Sequence, residues 1–533
     1  ARSWILLPLT QPGSLWLERS YFLHFKGLER FGSCSSVSLM KCFPSLPTLL
    51  LSLFCVAEAW ADSAIKPNIL MILVDDLKPA MGCYGDPLAR TPYMDRLAAS
   101  GMRFEMAYCN QSVCAPSRNH LMLGSRSTSL GIYGLGRHFR DAWPEAQTMP
   151  QFFRSHGWTA ESFGKVLHTG HGNHDDALSW SRPPYMDKVV EYLLPQSTEG
   201  GQLTREEAYF SNQQLDRIGS LPKGYAWEVA EVSDESYADG RIARKVIHRL
   251  EAHRQGVDSP FFIMAGFMRP HLPFTPPKKY WDMHDPNRFT LVQDQHSPEW
   301  APSVAGKRGG EIVNYTPLTL GQLDEAMTQR QLLHGYYASV SYADAQIGKV
   351  LESLDRLKLD THTIVVLWGD HGWHLGDHGI WTKHTNYEQA NRIPIIFRVP
   401  GVTRANSSTH QLAETVDLFP TLAELAGLPR PAGHQPIDGV SLLSVLKDPS
   451  SRVRDHAYHC YPRGKRMGRA IRTERYRLVE WKVPGESDAA AVYELYDYLQ
   501  DPGETRNLAK VRPTALASLR QILARHPEAA ARR

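Results

Sequence analysis

Four stretches of the chain are apolar without polar alternation: 68–74 (NILMILV), 261–265 (FFIMA), 363–368 (TIVVLW) and 393–397 (IPIIF). A strand with one wet face alternates, so continuous runs of this length predict strands buried on both faces, as in a parallel sheet. Helical periodicity fills the gaps between them. Residues 92–99 carry Met94, Leu97 and Ala98 on one face. Residues 236–252 carry Ile242, Val246, Ile247 and Leu250, and 342–357 carry Ile347, Val350, Leu351 and Leu354. Strand and helix in alternation predict an α/β fold with helices on both faces of a sheet. The stretches 185–234 and 280–318 are rich in Pro, Gly and charge and lack periodicity. They read as long surface insertions, the kind that shape substrate pockets. After the Asp438-Gly439 turn and a short helix at 441–446, the segments 456–461, 469–473 and 476–481 predict a small antiparallel sheet, and 514–523 a closing helix. A boundary near Asp448 then separates a main domain, 62–448, from a C-terminal subdomain, 449–533.

The start of the chain follows another logic. Met40-Lys41 precedes the apolar stretch Leu49 to Ala57 and then Ala59-Trp60-Ala61. A basic start, a short apolar centre and an A-x-A pattern are the parts of an export signal, placed here at 40–61. The apolar centre is well short of the ~20 residues of a spanning helix, so no stable membrane insertion is expected. Residues 1–39 read as an upstream, non-structural segment, with translation expected to begin at Met40.

Composition bounds the remaining classes. The 533 residues are 42% hydrophobic and 22% charged with a net charge of +3, which is ordinary for a globular chain and offers no general surface for a polyanion. No basic block, repeat or low-complexity tract marks a nucleic-acid partner. Of the seven cysteines, Cys83, Cys109, Cys114 and Cys460 fall in the mature part, too few for a disulfide framework and without a C-x-x-C pair for zinc.

Candidate chemistry sits where the predicted strands end. Ligands of open α/β sheets gather at the carboxyl ends of strands, and two runs end in acid, at Asp75-Asp76 and at Asp370-His371. A lone Asp after a strand is usually a cap or turn residue. Three carboxylates converging at one edge would repel without a cation between them, and oxygen donors suit calcium or magnesium. Cys114-Ala115-Pro116-Ser117-Arg118 has Pro116 in the first turn of a helix running to about Leu123, with Gly124 beyond its end. Cys114 then lies at the positive helix end and Arg118 one turn on. Two readings are open: an ordinary reduced cysteine near a helix cap, or a thiolate nucleophile for phosphate esters. Tyrosine phosphatases place five residues between Cys and Arg, against three here, which weakens the second.

Cys-x-Pro-x-Arg is the hallmark of type I sulfatases, and the chain resembles that family from about Lys66 to Leu508. Further motifs carry the resemblance: the 68–76 strand, Thr91-Pro92-Tyr93-Met94-Asp95, Glu494-Leu495-Tyr496-Asp497 and Asp501-Pro502-x-Glu504-x-x-Asn507-Leu508. The resemblance implies an alkaline-phosphatase-like fold, a large mixed sheet flanked by helices with a smaller C-terminal α+β subdomain. It implies that Cys114 is oxidised to formylglycine by a formylglycine-generating enzyme, and that Asp75, Asp76, Asp370, His371 and residue 114 hold one calcium ion. Most of the family has Asn at the position of His371; the Asp-His variant is similar to the iduronate-2-sulfatase branch. By the same resemblance Lys165 and His168, in Gly164-Lys165-Val166-Leu167-His168, hold the formylglycine hydroxyls. His271 stands near the leaving oxygen, and Lys383 grips the sulfate. Arg118 with calcium acidifies the hydroxyl that attacks sulfur, His271 protonates the departing sugar oxygen, and His168 helps to expel sulfate. His374, His378 and His384 read as structural or pocket-lining.

Gly82-Cys83-Tyr84-Gly85-Asp86, Ser179-Trp180-Ser181-x-Pro183-Pro184-Tyr185 and Met467-Gly468-x-x-Ile471-Arg472-Thr473 resemble the iduronate-2-sulfatase branch in particular. The implied substrate is a 2-O-sulfated uronic acid of a glycosaminoglycan or similar saccharide, with Arg472 and Arg469 as candidates for reading its carboxylate or, alternatively, as solvated strand charges. A sulfatase of another algal or host polysaccharide, a phosphoester or phosphonate hydrolase of the same superfamily, and a non-catalytic binder of sulfated polysaccharide are the rival readings. Export places the protein in the periplasm, outside the cell or in a lysosome. Asn110, Asn314 and Asn406 fit the glycosylation pattern.

Overall fold

The two sides of the first apolar run face two different cores. In the computed structural model, Ile69, Met71 and Leu73 pack into one apolar cluster and Leu70, Ile72 and Val74 into another. That is why the run shows no alternation: both faces of its strand are dry. The structure describes residues 66–186, 192–198, 224–256 and 259–530; the proposed upstream segment and export signal, and parts of the 185–234 insertion, lie outside them. The described residues form one compact unit.

The strands are β1 (Asn68–Val74), β2 (Met102–Tyr108), β3 (Thr159–Gly164), β4 (Phe261–Phe267), β5 (Thr363–Gly369), β6 (Arg392–Arg398), β7 (Ser407–Thr409) and β8 (Ala413–Glu414). They make an eight-stranded mixed sheet in the order β3-β4-β1-β5-β6-β2-β7, with β8 also on β2. The main helices are α1 (Pro92–Ala99), α2 (Cys114–Leu123), α3 (Met149–Ser155), α4 (Ala238–Arg254), α5 (Ala326–Arg356) and α6 (Leu418–Leu425). Apolar residues of α1, α4 and α5 share the cluster of Leu70, Ile72 and Val74. Those of α2, α3 and α6 share that of Ile69, Met71 and Leu73, so helices cover both faces. A second sheet of four antiparallel strands, β9 (Ala457–Arg463), β10 (Arg466–Arg472), β11 (Tyr476–Lys482) and β12 (Val492–Asp497), precedes α7 (Pro513–Leu523). This is the large mixed sheet with a smaller C-terminal sheet that the family resemblance implies.

One strand differs from expectation. The 393–397 run was expected to be parallel, yet β6 pairs antiparallel with both β5 and β2. Burial on two faces makes a run continuously apolar whichever way it points, so pattern alone carries no direction. Among the described residues no helix is long and apolar enough to cross a membrane. Asn110 is buried, donating to Glu414 and to the Tyr458 carbonyl, so its glycosylation pattern marks no glycan site; Asn406 is exposed.

Candidate active site

β1, β3, β4 and β5 run parallel and deliver their carboxyl ends to one edge. β1 ends at Asp75 and Asp76, β5 at Asp370 and His371, β3 at Lys165 and β4 at the turn to His271. At Gly164 a Cβ would lie 2.2 Å from the Gly266 carbonyl oxygen, and φ is +75°, so only glycine closes β3 against β4 and turns the chain to Lys165. The β4 exit is held by Asp239 of α4, which accepts from the amides of Met268 (2.8 Å) and Arg269 (2.9 Å). Asp76 is left-handed (φ +60°), a conformation fixed by its amide donating to Asp370 Oδ1 at 2.9 Å and its carbonyl accepting from Tyr336 at 2.8 Å.

α2 points its amino end at this edge. Val113 supplies no side-chain cap, all ten residues of the helix are buried, and Gly124 closes its far end with φ +65°. Cys114 Sγ lies 3.3 Å from His371 Nε2. One turn on, Arg118 Nη2 donates to Asp75 (2.8 Å) and Asp370 (3.0 Å), while Nη1 donates to the carbonyls of Lys165 and of Val166 (3.1 Å). Lys165 pairs with Asp75, and Lys383 Nζ lies 3.1 Å from each Asp76 oxygen. His371 Nδ1 faces the Gly372 carbonyl at 3.0 Å; a carbonyl only accepts, so Nδ1 carries a hydrogen, and Nε2 faces Asp76 (3.4 Å) and Asp370 (3.6 Å), whose charge, against burial, raises the imidazole to about 9.

Two groups of buried side chains have ligand atoms within 4.8 Å of one another: Asp75, Asp76, Cys114 and His271, and Asp75, Cys114, Asp370 and His371. Their electrostatics fit a hard cation. Burial pushes Asp370 up to about 8, with Asp75 adding repulsion, and burial also raises Asp76 against the pull of Lys383. Lys165 and Arg118 hold Asp75 well below the usual range, but the cationic side chains do not do the same for Asp370; a divalent ion among oxygens and one imidazole would. At Cys114 burial opposes ionisation, but Lys383, Lys165 and His371 outweigh it and hold the thiol well below its usual range. Beside it, Arg118 Nε and His168 Nδ1 are buried without a hydrogen-bond partner, although His168 faces the Cys114 side chain. A side chain with two oxygens at position 114 would satisfy what a single sulfur does not.

Cys114, Arg118, Lys165, His168, His271, Lys383, Asp75, Asp76, Asp370 and His371 are thus brought to one edge. In Arg118 the two carboxylates are held by Nη2 and the two backbone carbonyls by Nη1, and Nε is the N–H without a hydrogen-bond partner. Arg472 is not brought there. It is 5% exposed, its Nε donates to Glu388 (3.1 Å), its Nη1 to the Thr473 carbonyl, and its guanidinium lies over Tyr498, 3.6 Å from the ring centroid. Arg469 pairs with Glu480. Both sit in a packed sheet, so neither is a free anion reader nor a solvated charge. His374 donates or accepts between Asp377 and Thr385 (2.8 Å) and is structural. Sequence reasoning missed Glu311, whose carboxylate meets His271 Nε2 (3.1 Å) and Lys383 Nζ (2.8 Å), and His171, 3.2 Å from His168 Nε2. The Gly309-Gly310 pair before Glu311 was the one local mark, and it signals a turn rather than a site.

A sequence model of the sulfatase family matches residues 67–428, and one of the N-sulphoglucosamine sulphohydrolase C-terminal region matches 376–526. The chain is 33% identical to iduronate 2-sulfatase of Mus musculus over 539 residues, covering 86% of this chain and 95% of that protein. A solved structure of a protein in complex with its substrate D-glucosamine-2-N,6-O-disulfate covers 86% of this chain and 97% of its own, at a TM-score of 0.66 and 22% identity. A phosphonate monoester hydrolase from Silicibacter pomeroyi covers 86% of this chain and 95% of its own, at a TM-score of 0.65 and 21% identity. At these identities the two structures show a common fold.

Proposed function

Because the chain belongs to the sulfatase family and is a sulfuric ester hydrolase acting on sulfated sugars, we propose that it removes the 2-O-sulfate of a uronic acid residue in a glycosaminoglycan or similar polysaccharide, with Cys114 matured to formylglycine and one calcium ion at the strand tips. The observation that carries the chemistry is the seat of Cys114: a helix start facing buried Asp75, Asp76 and Asp370, with Arg118 Nε and His168 Nδ1 unpartnered beside it. The substrate choice is supported by the likeness to iduronate 2-sulfatase. In this reading 40–61 is the export signal, 62–448 the catalytic part and 449–533 its support. The enzyme acts outside the cytoplasm or in a lysosome after a formylglycine-generating enzyme has oxidised Cys114.

When bound, calcium supplies positive charge beside the reacting sulfate, and the aldehyde of formylglycine supplies, once hydrated, an oxygen nucleophile. Asp75, Asp76, Asp370 and His371 Nε2 would hold the ion, and Arg118 fixes Asp75 and Asp370 for it. Lys165 and Lys383 offer N–H groups to the sulfuryl oxygens. His271 donates through Nδ1 to the Leu272 carbonyl at 2.6 Å, so Nε2, which faces Glu311, is the nitrogen that would protonate the sugar oxygen as general acid. His168, kept neutral by burial, accepts at Nδ1 the proton whose removal frees sulfate.

The test is sulfate release from defined sulfated oligosaccharides, with and without a calcium chelator, by the matured protein and by Cys114→Ala. Release from the uronate 2-position alone is expected, with a loss of about 10³-fold or more on chelation or in the variant. Release from other positions only would defeat the substrate reading, an unaltered thiol by mass spectrometry in fully active protein the formylglycine reading, and a preference for phosphonate monoesters the sulfate reading itself.

A further inference from the structure

Glu311 lies in the short turn Gly310–Asn314, outside every motif that marks the site, yet its carboxylate is inside it. Oε1 is 3.1 Å from His271 Nε2 and Oε2 is 2.8 Å from Lys383 Nζ. These are the two groups that the proposed reaction directs at the leaving oxygen and the sulfate. The supply of N–H groups makes the arrangement decisive. An imidazolium has two. Nδ1–H of His271 is directed at the Leu272 carbonyl, and Glu311 faces Nε2–H, the group that the proposed reaction directs at the substrate. Lys383 has three N–H groups and already serves both oxygens of Asp76 besides Glu311. A sulfate ester is an oxyanion that needs the same donors. An N–H shared between two anions serves each more weakly, and a second anion beside Glu311 in a buried site is repelled. Glu311 is also able to leave: its side chain is 18% exposed, and Gly309 (φ +70°) and Gly310 (φ +83°) precede it.

We propose that Glu311 is a displaceable internal anion that competes with the sulfuryl group of the substrate, and with product sulfate, for His271 Nε2–H and Lys383 Nζ, and so sets how weakly this site holds sulfate. The proposal rests on reading the cluster as a sulfate-ester site. Each sulfate that binds must first move the carboxylate aside, which lowers apparent affinity by the fraction of molecules in which it has moved. Substrate gains this back through the rest of the saccharide; free sulfate does not, which favours product release.

The experiment compares matured wild type, Glu311→Gln and Glu311→Asp at constant ionic strength. It reads the calorimetric Kd of inorganic sulfate, its inhibition constant, and kcat and KM on a sulfated oligosaccharide. In Glu311→Gln, sulfate is expected to bind about tenfold tighter or more, with KM falling in step, because a charged hydrogen-bond partner has been neutralised. Glu311→Asp, which keeps the charge on a shorter side chain, should fall between. Unchanged or weaker sulfate binding in Glu311→Gln, with kcat lost, would overturn the proposal and make Glu311 a support for His271. If Glu311→Gln does not fold, Glu311→Asp decides on the same readout. Wild type that hydrolyses no sulfate ester would defeat the site reading instead, whatever the sulfate Kd values show.

Discussion

Asp75 and Asp370 both accept from Nη2 of Arg118, yet their surroundings move them in opposite directions. For Asp75, burial is outweighed by Lys165 and Arg118, which hold its carboxyl well below the usual range. For Asp370, burial and the charge of Asp75 prevail and push it up to about 8 from an ordinary 3.8. The metal-free folded protein therefore keeps a proton, across roughly pH 4 to 8, that the unfolded chain has released. More protons bound in the folded state means that stability falls as pH rises through this window. Calcium would displace that proton, so its affinity rises with pH. Scanning calorimetry with calcium or with chelator should show the metal-free Tm declining from about pH 5 to about 8 and the calcium-induced rise in Tm growing over the same range. A calcium shift independent of pH would contradict the assignment of Asp370 as a ligand. At this scale the residue types were legible, since Cys-x-Pro-x-Arg and two acidic strand ends are local patterns. The partners were not: Glu311 comes from a stretch without periodicity, and the fork of Arg118 reaches carboxylates 43 and 252 positions away.

Elements show the same division. Helix α1 was legible to its ends, with Pro92 at the first turn, but its cap was not. Thr91 gives α1 no side-chain cap; instead its Oγ1 accepts from the Gly82 amide at 2.9 Å. The cap is Asp344 of α5, accepting from the amides of Met94 at 2.7 Å and Tyr93 at 3.3 Å. Asp344→Ala would leave the buried Met94 amide and the half-buried Tyr93 amide without this partner and is expected to cost about 1–3 kcal/mol in urea unfolding. An unchanged midpoint would show that water replaces the carboxylate. α5 itself runs from Ala326, although periodicity marked only 342–357. From Tyr336 to Asp344 it is buried all round, so no wet face generates the 3.6-residue signal. Strand β2 escaped notice for the opposite reason: Arg103 and Glu105 interrupt Met102, Phe104 and Met106, an alternation hidden by its charge.

Across the whole molecule, the second sheet serves the site without entering it. Lys383 lies three positions before Asn386, and Asn386 is gripped from that sheet. Its amide donates to the Gly468 carbonyl (3.2 Å), and its own carbonyl accepts from His459 (3.2 Å) and Arg477. Arg477 is fully buried, pairs with Glu504, and lies between Tyr387 and Tyr496, each 5.3 Å away. Arg477→Ala strands the Glu504 charge and is expected to cost about 3–5 kcal/mol of stability. Because the loop of Lys383 loosens with it, kcat on a sulfated oligosaccharide should fall as well at temperatures where the variant remains folded. Loss of stability with kcat intact would show that Lys383 is held by the main sheet alone.

By itself the sequence determined strands β1, β4, β5 and β6, helices α1, α2 and α4, the acidic strand ends, the reactive helix start and the family to which they belong. Each of these is written in neighbouring residues or short spacings, where backbone periodicity and turn chemistry act. Tertiary structure alone decided that β6 runs backwards, that Asp344 caps a helix 250 positions away, that Arg472 is locked to Glu388 rather than offered to a ligand, and that Glu311 stands where sulfate is expected to bind. Strand direction, buried charge pairing and donor competition depend on which distant groups share one dry space, and no local pattern records that.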